Sequence, residues 1–79
     1  IMQDADSSEG IQAGISGNVF KIYINEGEEV KSGQVVMILE AMKMEIEVSA
    51  PKDGIIEKIC VKTGDSVSEN NLVAIYKNN

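Results

Sequence analysis

Residues 17–40 recur as residues 54–77, and this internal repeat constrains the fold more than any other feature of the chain. At a gapless offset of 37, Gly17 falls on Gly54, Lys21 on Lys58, Ile22 on Ile59 and Gly27 on Gly64. Val30 falls on Val67, Val36 on Val73 and Ile38 on Ile75, with conservative matches at Ile24/Val61, Glu28/Asp65 and Val35/Leu72. Each copy reads as a glycine, an apolar run, a Gly-acid turn, a valine, a polar turn and a second apolar run. Two units are too few for a stacked solenoid. The repeat predicts two half-domains related by a pseudo-twofold axis, each lending a sheet to one shared core.

The apolar runs are short, rich in Val and Ile, and punctuated by Gly14, Gly17, Gly27, Gly33, Gly54 and Gly64, which leaves no room for a long helix. An all-β chain follows, with strands expected near 18–24, 35–41, 44–49, 54–62 and 71–76 and shorter pieces near 11–15, 29–30 and 66–67. Gly27 and Gly64 each follow a strand and precede an acid, where a turn with positive φ needs glycine. Alternation puts Ile22, Ile24, Val36, Ile38, Ile46, Val48, Ile59, Val61, Val73 and Ile75 in the core. Val35, Met37 and Leu39 have the opposite parity, with at least one of them partly exposed. Residues 1–12 are polar and aperiodic and read as a flexible linker or tail. The domain is expected over 13–77, with 78–79 as its C-terminal end.

Composition removes whole classes of function. The chain has 79 residues and a single cysteine, Cys60, so no intramolecular disulfide supports its small core. With no histidine, it lacks both the usual zinc ligand set and any Ser-His-Asp or Cys-His pair. Cys60 is expected to be a structural thiol. Seven lysines, no arginine and 13 acids give a net charge of −6, which does not suit a phosphate backbone. The acids at 40, 45, 47, 53, 57, 65 and 69 read as a solvated face that keeps the module monomeric. There is no apolar run of membrane-spanning length and no signal-type start. The chain begins at Ile1, the expected sign of a processed product or of a fragment of something longer, and its composition suggests a cytosolic module.

One place breaks the local rules. Met44, Ile46 and Val48 alternate with Glu45, Glu47 and Ser49, directly after the apolar run 35–41, so a tight hairpin must turn at Met42-Lys43. A two-residue hairpin loop favours Asn-Gly, because its backbone needs positive φ. Met-Lys has no such preference. Departures of this kind concentrate where side-chain identity matters more than backbone comfort. A lysine at such an apex stands on a rigid stem with its amine in water, flanked by two flexible, polarizable methionines.

Glu40-Ala41-Met42-Lys43-Met44 closely resembles the attachment motif of biotinyl (biotin carboxyl carrier) domains. The resemblance covers residues 14–77, including the Glu-Gly-Glu-x-Val-Lys-x-Gly turn at 26–33 and Ala50-Pro51-x-x-Gly54. Lipoyl domains have the same symmetric fold but usually carry Asp-Lys-Ala at the tip, so Met-Lys-Met favours biotin. Gly14-Ile15-Ser16-Gly17 departs from the proline-containing lead-in that is commoner in the family. Ile24-Asn25-Glu26-Gly27 runs through without the thumb insertion of bacterial acetyl-CoA carboxylase carriers. The chain is similar to the thumbless carriers of pyruvate carboxylase, acyl-CoA carboxylases, transcarboxylase and biotin-dependent decarboxylases.

The resemblance implies a flattened antiparallel barrel or sandwich of two four-stranded sheets, with Lys43 on a tight hairpin. It implies biotin in amide linkage to Lys43, installed from biotinyl-AMP by a biotin protein ligase that reads Glu40, Ala41, Met42 and Met44. A lysine amine is protonated near neutral pH, and this chain has no histidine to take the proton, so the ligase must supply the base. The module would be non-catalytic, carrying CO₂ as carboxybiotin between biotin carboxylase or decarboxylase and carboxyltransferase sites. No nucleic-acid or direct membrane contact is expected. The setting would be cytoplasmic, the cytoplasmic membrane face for a sodium-pumping decarboxylase, or the mitochondrial matrix in a eukaryote. Two other readings are a lipoyl carrier and an unmodified interaction module such as the barrel-sandwich part of a membrane-fusion adaptor. The flanking methionines count against the first. The missing helical-hairpin insert counts against the second. A stand-alone enzyme lacks catalytic groups.

Overall fold

A computed structural model describes residues 10–77, which form eight β-strands and no helix. The strands are β1 (Gly10–Gln12), β2 (Gly17–Ile22), β3 (Glu29–Val30), β4 (Val35–Ala41), β5 (Met44–Ser49), β6 (Gly54–Ile59), β7 (Ser66–Val67) and β8 (Leu72–Tyr76). They pair antiparallel into two four-stranded sheets with orders β1-β8-β6-β3 and β5-β4-β2-β7. The offset of 37 carries β2, β3 and β4 onto β6, β7 and β8, and β1 onto the last half of β5. The two sheet orders are therefore one order written twice, and the repeat extends back to Ile11/Val48 and Ala13/Ala50, all four of them buried.

Backbone bonds cross between the halves in matched pairs. Gly27 N–H donates to Ile56 O at 2.7 Å, and its equivalent Gly64 N–H donates to Val19 O at 2.8 Å. Ile56 N–H donates to Glu28 O at 2.9 Å, and Val19 N–H to Asp65 O at 2.8 Å. In each pair one bond runs from the first half to the second and the other runs back, which is the expected pseudo-twofold. Both glycines have the positive φ that their sequence position predicts, 88° and 97°. The turns are stapled alike: Glu28 Oε1 accepts from Asn25 N–H and Asp65 Oδ2 from Lys62 N–H. Gln34 Oε1 accepts from Lys31 N–H and Asn71 Oδ1 from Ser68 N–H.

The core holds Ile24, Val36, Val48 and Val73 as alternation predicts, but it reverses the parity of β4. Met37 and Leu39 are fully buried, whereas Ile38 is buried outside the core cluster and only Val35 of the opposite-parity trio is half-exposed. The cause is a β-bulge. Val35 faces Ser49 and Met37 faces Val48, so Val36 is an extra residue, and β8 repeats the bulge at Val73. An extra residue resets the alternation and turns its successors to the other face. Ile75 accordingly faces outward, opposite Lys58, and is half-buried. Ile46 is half-buried because β5 is an edge strand, and Ile22, Ile59 and Val61 pack partly buried against the core. Ile11, Ala13 and Ala50, with Val19, Val30, Ile56, Val67, Ala74 and Tyr76, complete the core.

Several expected boundaries move. β2 stops at Ile22 rather than 24 and β6 at Ile59 rather than 62, with one backbone bond past each end, Tyr23 N–H to Val36 O and Cys60 N–H to Val73 O, both at 2.9 Å, before the chain turns away. The tail expected over 1–12 gives way at Gly10, and the short strand expected near 11–15 lies at Gly10–Gln12 as β1, which pairs with β8 and buries Ile11. The rest of the expected tail, residues 1–9, and the C-terminal end at 78–79 lie outside the described residues. Cys60, expected to be a structural thiol, is exposed: it is the first residue past β6, its backbone N–H still donating to Val73 O at 2.9 Å while its side chain meets solvent. The acids at 40, 45, 47, 53, 57 and 69 are exposed as expected, while Asp65 is half-buried by its turn bond.

This topology separates the hairpin from the two ends of the described residues, Gly10 and Lys77. β4 ends beside the start of β2, where Asn18 faces Glu40, and β8 ends beside the start of β6, where Ile56 faces Tyr76. The turn after β2 reaches the start of β6, and the turn after β6 reaches the start of β2. β2 and β6 thus run oppositely across the sandwich. The β4–β5 tip leaves one end, and the ends of β1 and β8 meet at the other.

Candidate functional site

The β4–β5 hairpin holds Lys43 at its apex. Its stem pairs Val35 with Ser49 at the base and Ala41 with Met44 at the top. The base is clamped: Gly33 N–H donates to Ala50 O and Ala50 N–H to Gln34 O, each at 2.8 Å. Asp53 Oδ1 accepts from Ser32 N–H at 2.7 Å, joining the turn before β4 to the loop after β5. One side of the stem buries Met37, Leu39 and Val48 in the core. A stem fixed by pairing, clamping and burial points its tip in one direction.

The two tip residues have φ of 53° and 65°, the only positive values at non-glycine positions among the described residues. This is the sign pattern of a type I′ turn, which Asn-Gly adopts at least cost. Left-handed backbone costs an ordinary L-residue roughly 1–2 kcal/mol. The fold therefore holds Met42 and Lys43 where neither has a backbone preference. Met42 is 93% exposed and Met44 60%, flanking an exposed Lys43. Lys43 makes no ion pair or hydrogen bond among the described residues.

All five residues that sequence reasoning singled out come together here. Ala41 is half-buried at the top of the stem, and Glu40 is exposed directly opposite Glu45. Two carboxylates facing each other across a strand pair repel mildly, so this end of the stem is acidic at some cost to the sheet. Gly17 was not singled out for the site, but it sets the tip's footing. A Cβ there would lie 2.5 Å from Glu40 O and 3.2 Å from Ala41 Cβ, so the close approach of β2 to the top of β4 requires glycine. Its one sequence signal was identity with Gly54. Asn18 beside it accepts from Ser66 Oγ at 3.0 Å, tying β2 to β7. No group of His, Cys, Asp or Glu among the described residues could hold a metal. The site offers one accessible amine on a rigid, acidic stem, which is the chemistry of covalent attachment and suits an amide-linked group held away from the body.

The family model described as "Biotin-requiring enzyme" matches residues 4–75. The chain is 37% identical over 68 residues to the "Biotinylated protein TB7.3 homolog" of Mycobacterium leprae, covering 86% of this chain and 96% of that protein. It is 40% identical over 73 residues to the "Biotin-dependent acyl-coenzyme A carboxylase alpha3 subunit" of the same organism, covering 92% of this chain but 12% of that subunit. Among solved structures, the urea carboxylase of Kluyveromyces lactis matches with a TM-score of 0.81 and 38% identity, over 87% of this chain and 6% of that one. The chain thus spans nearly all of one small relative and a small part of two large ones. It belongs to the family of biotin-requiring enzymes, as a domain that carries covalently bound biotin.

Proposed function

We propose that biotin is carried on Lys43, and that the domain is a non-catalytic module of a larger biotin-dependent carboxylase. The observation that carries this is the tip itself. Lys43 is an exposed amine, unpaired among the described residues, at an apex held in left-handed backbone that its own sequence does not favour. Biotin supplies a ureido nitrogen on which a carboxyl group travels between active sites. The chain's own residues supply the rest: the clamped stem fixes where the arm starts, and the start of β1 and the end of β8 lie at the far end of the sandwich from it. Tethering replaces a diffusing cofactor with a high effective concentration.

In this reading Glu40, Ala41, Met42 and Met44 form the surface that a biotin protein ligase recognises. The Lys43 amine attacks the acyl carbon of biotinyl-AMP, an amide forms, AMP leaves, and the amine's proton goes to a base of the ligase. The partners are the domains or subunits that carboxylate biotin and that transfer the carboxyl group. The direct run from Ile22 to Glu29 supports the thumbless type of carrier, and the proposed setting is cytoplasmic.

Intact mass after incubation with biotin, ATP and a biotin protein ligase tests the site. One biotinyl increment is expected for the wild type and none for Lys43→Arg. An increment in the folded Lys43→Arg variant would move the site elsewhere. A wild type that takes lipoate and not biotin would replace the cofactor while keeping the residue.

A further inference from the structure

The pseudo-twofold gives the molecular surface an internal control. Residues related by the offset of 37 occupy equivalent places, so what the fold itself needs is what both places share. On the outer face of the sheet β5-β4-β2-β7 the shared residues are Lys21 and Ile38, matched by Lys58 and Ile75. The rest of this face is not shared. Phe20 is 48% and Tyr23 52% exposed, and their equivalents are Glu57 and Cys60. Glu40 and Glu47 stand where the other sheet has Lys77 and Gly10.

Pairing defines the face. Ile38 opposes Lys21 and Glu47, while Glu40 opposes Asn18 and Glu45. The bulge in β2 sets Phe20 beside Lys21 against Ile38, which is 8% exposed. Lys21 Nζ lies 5.7 Å from the centre of the Tyr23 ring, which brings Tyr23 to the same face. Two exposed aromatics therefore flank an aliphatic floor, with three carboxylates along the strand pair that bears Lys43. A single exposed apolar residue needs no explanation. A pair of aromatics that the equivalent half replaces with Glu and Cys is not a demand of the fold, and aromatics are the residues that most often anchor interfaces.

We propose that this face docks the catalytic partner that acts on the biotin group, by inserting Phe20 and Tyr23 into an apolar pocket rimmed with lysine or arginine. The proposal rests on the carrier reading and adds the surface by which the carrier is recognised. Charge complementarity selects the rim. Glu40, Glu45 and Glu47 are exposed, and the one cation of the face among the described residues, Lys21, is held over Tyr23. Continuity selects the partner, since the face runs along β4 and β5 to the tip, and docking there leaves Lys43 free to reach into a neighbouring site.

The test compares biotinylated wild type with biotinylated Phe20→Glu/Tyr23→Ser as substrates of the carboxylating and transferring domains of the enzyme to which the chain belongs. Position 57 already holds glutamate in the equivalent place, so the fold accommodates the change, and thermal melting verifies this. The expected result is a KM for the domain raised about tenfold in at least one half-reaction, with kcat and the rate on free biotin unchanged. Glu45→Gln/Glu47→Gln is a second probe that keeps the aromatics, and it should weaken the salt dependence of KM. Unchanged KM in both half-reactions overturns the docking face and leaves the carrier reading standing. An effect confined to the KM of the biotin protein ligase also overturns it, by giving the face to the ligase. A wild type that takes no biotin overturns carrier and face together.

Discussion

At Met42 and Lys43 side-chain chemistry and backbone preference oppose each other, and the fold resolves the conflict for the side chains. Both residues adopt positive φ, which asparagine and glycine reach with less strain. Met42→Asn should therefore raise the unfolding free energy by about 1 kcal/mol in urea titration. The same variant should be a poorer substrate for biotin protein ligase, with a higher KM. A Met42→Asn variant no more stable than wild type would show that the tip is unstrained. The conflict was legible in the sequence, because Met-Lys stands where a hairpin needs turn residues. The role of Gly17 was not, because its reason is a through-space approach to Glu40 that no local pattern encodes. Gly17→Ala should cost about 2 kcal/mol, as overpacking does, and should broaden amide signals of the hairpin in NMR spectra.

The scale of the element is where alternation misleads. Strand β4 reads as one regular run, but the extra residue Val36 exchanges its two faces right after its first residue, and Val73 does the same in β8. Leu39, of the wrong parity by alternation, is fully buried, whereas Ile75, of the right parity, faces outward and is half-buried. Leu39→Ala should cost about 3 kcal/mol and Ile75→Ala about 1 kcal/mol. Strict alternation along the strands demands the reverse order, so denaturant unfolding of the two variants separates the cases. A bulge leaves a faint trace in sequence because the inserted residue is itself apolar. It is decided by which neighbour across the ladder each backbone group finds.

For the whole molecule, the matched bonds Gly27 to Ile56 and Gly64 to Val19 mean that neither half satisfies its own backbone. A fragment of residues 10–42 should be unstructured by circular dichroism, and mixing it with a fragment of residues 43–77 should restore β-structure. A fragment that folds alone would contradict the shared core. The repeat, the all-β class, the turn glycines and the odd tip at Lys43 were determined by the sequence itself. Each is a local matter of φ preference, period-two patterning or self-similarity, which a linear reading can detect. The inward faces of β4 and β8, the pairing of Gly10–Gln12 with β8, the exposure of Cys60 and the grouping of Phe20 with Tyr23 were decided only by tertiary structure. Each depends on which distant backbone a residue meets, and that is fixed when two sheets close over one core.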